Sequence, residues 1–401
     1  MNLLKINFKK ENGSISLFIL VSVLFFLVAV VSVGISLKNK AVSMNKKFNT
    51  IKQTYEVDVG NETEVYEEKL YIKPGEYATN TTQYSDGTNI ATIPAGFTVS
   101  GFNNEETITS GLVIYKGDLS NSDWVNGIDS SGNDIKRTYN QYVWIPCIES
   151  EYKRTGWVTE EDNGSKSFKD EATLSGVKLS TYDQGNGITT GILDEIVNQI
   201  DNEKASVSKY KGFYIGRYEV GDEIVIRKYQ TPLTNLKWSS AYANAKSIDV
   251  GSESVSYLSS SYARDTALNF IQKNSEFKTY ASSRDNGTNG TLINENWYDR
   301  SVTYIDADGN SATKATNSNI KLPTGVTIAK CNIYDMGGNV SEFTTELNPL
   351  TNGDNDATII LRGGNSRGNE LWQNGEAGIR WDAGSARIDD FRGFRATLFI
   401  K

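Results

Sequence analysis

The 401-residue sequence contains no histidine. This absence excludes Ser-His-Asp triads, Cys-His dyads and imidazole metal sites, because each of them needs an imidazole ring. The only cysteines are Cys147 and Cys331, without a CxxC spacing, so a structural zinc site is excluded and a redox dithiol motif is unsupported. The two cysteines either remain separate buried thiols or form one disulfide, because the sequence does not show whether their Cβ atoms come close enough to be bridged.

Positive charge is also scarce and is spread along the chain. The formal net charge is −8 and the lysines and arginines form no stripe. A nucleic-acid-binding protein concentrates basic residues on one face. We therefore exclude nucleic acid as a partner.

One long apolar run, residues 15–35, carries no charge over 21 positions. A helix of that length spans the roughly 30 Å hydrocarbon core of a bilayer. A cleaved signal peptide is the alternative, but Lys38 and Lys40 follow the run directly where a small-residue cleavage site is expected. The pattern predicts a single membrane helix preceded by a basic leader over 1–14.

The flanking lysines do not decide the topology, because more of them follow the apolar run than precede it. Long domains translocate largely regardless of flanking charge, so we expect the leader in the cytoplasm and the C-terminal part outside the cell. The leader and helix resemble a prepilin N-terminus, with a Gly before the apolar run. Phe18 stands where type IV prepilins usually carry Glu, so processing after Gly13 stays open.

Beyond the membrane, apolar residues recur four and three apart over 36–58, which predicts an amphipathic helical stalk. The stalk either self-associates or lies on its own domain. A linker over 59–83 and a β-rich segment over 84–141 follow, with short Val, Ile, Thr and Tyr runs between turn residues. Helices are predicted at 190–203, 239–247 and 262–273, which makes the C-terminal part an α+β domain.

Six segments, in order, resemble the formylglycine-generating enzyme (sulfatase-modifying factor) family. They are YVWIPC at 142–147, KGFYIGRYEV at 211–220, TPLTNLKWSSAYANAKSI at 231–248, NIYDMGGNVSEFTTE at 332–346, LRGGNS at 361–366 and RGFRATL at 392–398. The resemblance covers 142–401 and implies a variant of the C-type lectin fold.

The chain departs from this family at the catalytic positions. Formylglycine-generating enzymes oxidise with copper and a cysteine pair between the last two motifs, and here residues 365–392 contain no cysteine. Related sulfoxide synthases use a three-histidine iron site, and no histidine is present. We therefore expect a non-catalytic domain without copper.

The resemblance also implies a calcium site in the DMGGNV loop. Its ligands would be the side chains of Asp335 and Glu342 and the main-chain carbonyls of Gly338 and Val340. Calcium takes six to eight oxygen ligands, which a short loop with two carboxylates supplies in part. A metal-free loop in which Glu342 caps backbone N–H groups is the alternative.

The segment 365–390 is dense in Trp, Arg and Asn separated by Gly and Ala, a composition suited to recognition rather than to a core. It resembles the variable region of retroelement-diversified proteins of the same fold. The candidate ligand-binding residues are Arg367, Asn369, Trp372, Asn374, Arg380, Trp381 and Arg387. An ordinary polar loop is the alternative interpretation.

These features predict a membrane-anchored, surface-displayed protein that binds a protein or glycan ligand. One alternative is a pilin-like structural subunit, which requires the stalk to self-associate. Another is an enzyme of unrecognised type that uses Asp382, Asp389 or Asp390 as acid and base.

Overall fold

The structure is a computed structural model. It describes residues 71–155, 169–282, 301–347, 359–366, 377–386 and 388–401, together with the short strands Asp58–Val59 and Glu62–Thr63. The predicted membrane helix at 15–35 and the stalk at 36–58, except its last residue, lie outside the described residues. None of the helices within the described ranges is both long enough and apolar enough to cross a bilayer.

The chain divides into two units, Met1–Lys69 and Leu70–Lys401. In the first unit, β1 (Asp58–Val59) pairs antiparallel with β2 (Glu62–Thr63). In the second unit, residues 71–83 are not a linker: Ile72 bridges Tyr84, Tyr77 bridges Thr98, and a strand begins at Thr82. The linker expectation for 59–83 is therefore wrong in its second half, because backbone pairing holds that stretch to the domain.

The described strands of the second unit are mostly three to five residues long. They are β3 (Thr82–Ser85), β4 (Ile90–Ile93), β5 (Phe97–Val99), β6 (Val113–Lys116), β7 (Gln141–Pro146), β8 (Gly212–Gly216), β9 (Ser254–Leu258), β10 (Val302–Ile305), β11 (Ser311–Lys314), β12 (Ser341–Leu347), β13 (Ile359–Arg362), β14 (Arg380–Ala383), β15 (Arg392–Phe394) and β16 (Ala396–Ile400).

The described α-helices are α1 (Asn121–Asn126), α2 (Ile135–Thr138), α3 (Thr181–Gly185), α4 (Thr190–Tyr210), α5 (Trp238–Ser247) and α6 (Ser261–Lys273). The last three contain the helices predicted from the sequence. Side-chain caps define two of the starts: Thr189 accepts a hydrogen bond from the N–H of Ile192, and Ser260 accepts one from that of Ala263. The described part of the chain is thus an α+β structure, as expected.

The larger sheet has the strand order β5-β6-β7-β8-β16-β9, and every adjacent pair is antiparallel. The segment expected over 84–141 therefore belongs to the same sheet as the family-like strands. Both faces of this sheet are buried. In β7, Tyr142 and Trp144 contribute to the core that includes residues of α5, whereas Val143 and Ile145 contribute to the core that includes residues of α6.

A smaller sheet has the order β14-β13-β12-β15. Strand β12 pairs antiparallel with β13 and parallel with β15. Strand β15 is followed after one residue by β16 of the larger sheet, so the two sheets are joined where RGFRATL passes from one to the other. All seven residues of β12 are buried, including the charged Glu342 and Glu346. Buried charges on this strand need partners of opposite charge.

Candidate functional site

The first part of the candidate recognition segment 365–390 belongs to the connection 363–379 between two strands of the smaller sheet. It leaves after β13, where the buried Asn365 donates from Nδ2 to the Ser341 hydroxyl at 3.1 Å and the N–H of Ser366 donates to the carbonyl of Asn339 at 2.8 Å. It returns at β14, which pairs with β13 so that Arg380 lies opposite Arg362. The sheet therefore fixes the separation and direction of the two ends.

Most of the predicted ligand-binding residues lie outside the described residues. These are Arg367, Asn369, Trp372, Asn374 and Arg387. Their assignment stays a prediction. Arg380 and Trp381, which belong to β14, are described and behave differently from each other.

Arg380 does not fit the role of a ligand-binding residue, because it is only 4% exposed and its guanidinium binds two internal carboxylates. Its Nη2 lies 2.5 Å from Asp265 Oδ2, and its Nε lies 2.8 Å from Glu346 Oε1. A cation with this degree of burial requires such partners. Arg380 is thus a structural residue of the frame rather than a ligand contact.

Arg380 belongs to a larger buried charge cluster beneath the ends of the segment. Arg362 Nη2 lies 2.5 Å from Asp265 Oδ1 and its Nη1 lies 3.3 Å from Glu346 Oε2, while Arg154 Nη2 lies 2.6 Å from Glu346 Oε1. Burial alone would raise the pKa of Glu346, but the guanidinium groups of Arg380, Arg362 and Arg154 outweigh it and hold that pKa at about 2. The cluster joins β12, β13 and β14 to α6 and to the loop at Arg154.

Trp381 fits the recognition hypothesis better. Its side chain is half-buried and packs against the main core, and the guanidinium of Arg392 lies 5.1 Å from its ring centroid. A partly exposed tryptophan that packs against the core is compatible with a binding hot spot. Of the seven candidate residues, Trp381 is the one within the described ranges whose exposure agrees with ligand contact.

The DMGGNV loop precedes β12 and contains the candidate calcium ligands. Asp335 and Asn339 have positive φ values of 56° each, and Gly338 has 111°. Asp and Asn tolerate this conformation better than most residues. The buried Asp335 Oδ1 accepts a hydrogen bond from Thr327 Oγ1 at 2.6 Å.

Glu342, the second candidate carboxylate ligand, is paired with two arginines. Oε2 accepts from Arg264 Nη1, and Oε1 lies 2.9 Å from Arg395 Nε and 2.7 Å from Arg395 Nη2. Both oxygens of Glu342 are thus paired with guanidinium groups in this arrangement. No group of three or more acidic or cysteine side chains in the described ranges is placed to hold a metal ion. The residues as placed do not fit calcium, and calcium binding stays a prediction.

Glu203 and Glu171 are among the buried carboxylates that sequence reasoning missed. Glu203 accepts hydrogen bonds from the Tyr152 hydroxyl at 2.6 Å, the Ser260 hydroxyl at 2.7 Å and Gln199 Nε2 at 2.8 Å, and burial raises its pKa to about 7. Glu171 accepts from the backbone N–H of Ser261 at 3.1 Å, and burial raises its pKa as well. Nothing in the local sequence distinguishes these residues from solvent-exposed glutamates.

The cysteines are two separate buried thiols and form no disulfide. Cys147 lies beside a cavity of about 560 Å³ whose lining also includes Lys211, Phe270 and Lys273. Burial raises the pKa of Cys147 to about 12 and that of Cys331 to about 11. Both thiols are therefore protonated at neutral pH and are poor nucleophiles.

No family model matches this chain, and no curated protein matches it. Three solved structures are similar in part. CarF is 15% identical with a TM-score of 0.28, over 48% of this chain and 88% of CarF. PvdO from Pseudomonas aeruginosa is 16% identical with a TM-score of 0.30, over 48% of this chain and 82% of PvdO. Treponema denticola variable protein 1 is 14% identical with a TM-score of 0.22, over 80% of this chain and 99% of that protein. TM-scores this low do not establish a shared fold.

Proposed function

We propose that this chain is a non-catalytic binding protein with a C-type lectin-like domain of the formylglycine-generating-enzyme type. Its segment 365–390 contacts a protein or glycan ligand. The family-like motifs support the fold assignment, and the absence of histidine and of cysteine within 365–392 supports the lack of the family's chemistry. The apolar run at 15–35 anchors the protein in the membrane with the domain outside the cell.

The observation that carries this proposal is the attachment of the segment to the paired strands β13 and β14. Strand β13 lies just before the segment and β14 lies within it. The two strands are adjacent in one sheet, and Arg362 and Arg380, which lie opposite each other on them, share the carboxylates of Asp265 and Glu346. A rigid support of this kind reduces the entropy lost when a loop binds its ligand.

A binding screen tests the proposal. The full-length chain in detergent is probed against a glycan array and a panel of cell-surface proteins, and each hit is repeated with Arg367→Ala, Trp372→Ala and Trp381→Ala combined. We expect the variant to stay folded, with a melting temperature lowered by the lost packing of Trp381, and to lose at least about tenfold in affinity, since hot-spot truncations cost about 2 kcal/mol or more.

A matched control carries alanine at three exposed residues outside the segment: Val125, Ile148 and Lys246. The control is expected to bind like the wild type. A ligand that binds the triple variant and the wild type equally would place the site elsewhere on the domain. Unfolding of the triple variant would show that these side chains belong to the core, which contradicts the proposal.

A further inference from the structure

The loop for which the resemblance implies calcium is held here by arginine side chains. Arg264, on α6, reaches the loop from one side, and Arg395, between β15 and β16, reaches it from the other. Both residues are fully buried. Two buried cations beside one short loop are costly unless the loop itself supplies their partners.

The partners are of the kinds that calcium would take. Arg264 donates from Nη1 to Glu342 Oε2 and from Nη2 to the main-chain carbonyl of Met336. Arg395 donates from Nε to Glu342 Oε1 at 2.9 Å and from Nη2 to the carbonyl of Tyr334 at 2.7 Å. One carboxylate of the implied calcium set, Glu342, thus receives N–H donors, as do two neighbouring carbonyls that do not belong to that set.

Another buried carboxylate, which does not belong to the implied calcium set, also binds this loop. Glu219, at the end of the KGFYIGRYEV motif, accepts from Asn339 Nδ2 at 2.7 Å and from the N–H of Val340 at 3.1 Å. These two bonds hold the last two residues of the loop, Asn339 and Val340, directly before β12. Arg395 Nη1 also donates to the carbonyl of Gly216 at 2.9 Å, which ties the loop to β8 of the larger sheet.

We propose that Arg264 and Arg395 stabilise this loop in place of calcium: they neutralise Glu342, bind the carbonyl of Met336 in the loop and that of Tyr334 just before it, and close the loop without a metal. A chelator removes metal ions but not arginine side chains. The loop and the following strand β12 therefore keep their structure when calcium is absent.

Calcium binding is measured first, by isothermal titration of the full-length chain in detergent with calcium chloride alone. The wild type, Asp335→Asn and Glu342→Gln are compared, because each amide keeps the shape of the carboxylate it replaces. We expect all three proteins to bind the same number of calcium ions, and EDTA to leave the wild-type melting temperature unchanged. A calcium ion bound by the wild type and lost in either variant would overturn the proposal.

The role of the arginines is tested by thermal melting of Arg264→Met and Arg395→Met in EDTA. Each variant is expected to melt at least about 5 °C below the wild type, because a buried carboxylate loses one of its two cations. Arg137→Met is the matched control, since Arg137 is partly exposed and donates to the carbonyl of Ala307. Melting temperatures of Arg264→Met and Arg395→Met equal to the control's would contradict the proposal. If either variant fails to fold, the wild-type titration with EDTA still decides the calcium question.

Discussion

Arg362 and Arg380 share one carboxylate: the Nη2 atom of each lies 2.5 Å from a different oxygen of Asp265. The two arginines face each other across the β13–β14 pair, and both also contact Glu346 on β12. Like charges opposite each other on adjacent strands repel unless anions lie between them. The carboxylates of Asp265 and Glu346 are therefore what allows these strands to pair.

Replacing Arg380 tests this relationship. Arg380→Met removes the cation but keeps an unbranched apolar side chain, and it leaves Asp265 and Glu346 with fewer partners. We expect a loss of about 3–5 kcal/mol in the free energy of unfolding, as for other buried pairs that lose one partner. Urea denaturation at neutral pH measures it.

The control for Arg380 is Lys246→Met, which removes a surface cation paired with Glu195 at 2.6 Å, where both side chains are substantially exposed. A surface pair contributes about 0–1 kcal/mol, so the control is expected to differ little from the wild type. An Arg380 variant as stable as this control would mean that the cluster contributes no net stability.

The sequence predicted the elements well where the pattern is local. The helices predicted to begin near Thr190 and Tyr262 both occur in the structure, because helical periodicity acts over neighbouring residues. The burial of Arg380 could not be predicted in this way. Its partner Asp265 lies 115 positions away, and a Trp- and Arg-rich segment has the same composition whether its arginines face solvent or a distant carboxylate.

The contacts of the DMGGNV loop could not be predicted from the sequence either. The motif identified Asp335 and Glu342 as acidic residues of one short loop, but the cations that pair with Glu342 come from α6 and from the start of β16. Their separation along the chain gives no signal in a motif. Resemblance to a family therefore indicates which residues form the loop but not what neutralises it.

The buried Glu203 predicts a pH dependence of stability. Its pKa in the folded protein is about 7, above the ordinary value of 4.5, because burial disfavours the charged form. A carboxyl with a raised folded pKa contributes most at a pH below its unfolded value, and the contribution is lost as the pH rises through about 7. The loss is on the order of 3 kcal/mol between about pH 4 and pH 8.

Glu203→Gln tests this prediction, because the amide stays neutral at every pH and preserves the acceptor for Gln199. Urea denaturation at about pH 5 and about pH 8 should show a smaller decrease for the variant than for the wild type. Asp194→Asn is the control on the exposed face of the same helix and should leave the slope unchanged. Equal slopes for wild type and Glu203→Gln would show that another group titrates in this range.

The close approach of β15 to the DMGGNV loop predicts a strong effect of Gly393→Ala. A Cβ added at Gly393 would lie 2.9 Å from Val340 Cγ2 and 3.2 Å from the carbonyl oxygen of Leu233. Such contacts force a shift in a packed interior, which typically costs about 1–3 kcal/mol. Thermal melting should show the loss.

Gly185→Ala is the matched control for Gly393, because a Cβ at Gly185 meets no atom within 4 Å and the residue belongs to helix α3. Alanine favours a helix over glycine, so the control is expected to be neutral or slightly stabilising. A Gly393 variant that melts with the control would indicate that β15 and the loop separate easily.

The N-terminal boundary of the second unit, at Leu70, predicts a difference in stability between two truncated chains. A chain that begins at Tyr84 lacks the first two residues of β3, the bridge from Tyr77 to Thr98 and the buried side chain of Ala78. A chain that begins at Leu70 keeps all three. We expect the longer chain to be folded and soluble without the apolar run, because its apolar segments are short and separated by turn residues, and to melt several degrees above the shorter one. Circular dichroism melting of the two proteins side by side measures the difference. Identical melting temperatures would show that residues 71–83 add no stability, and an unfolded longer chain would show that the domain needs residues N-terminal to Leu70.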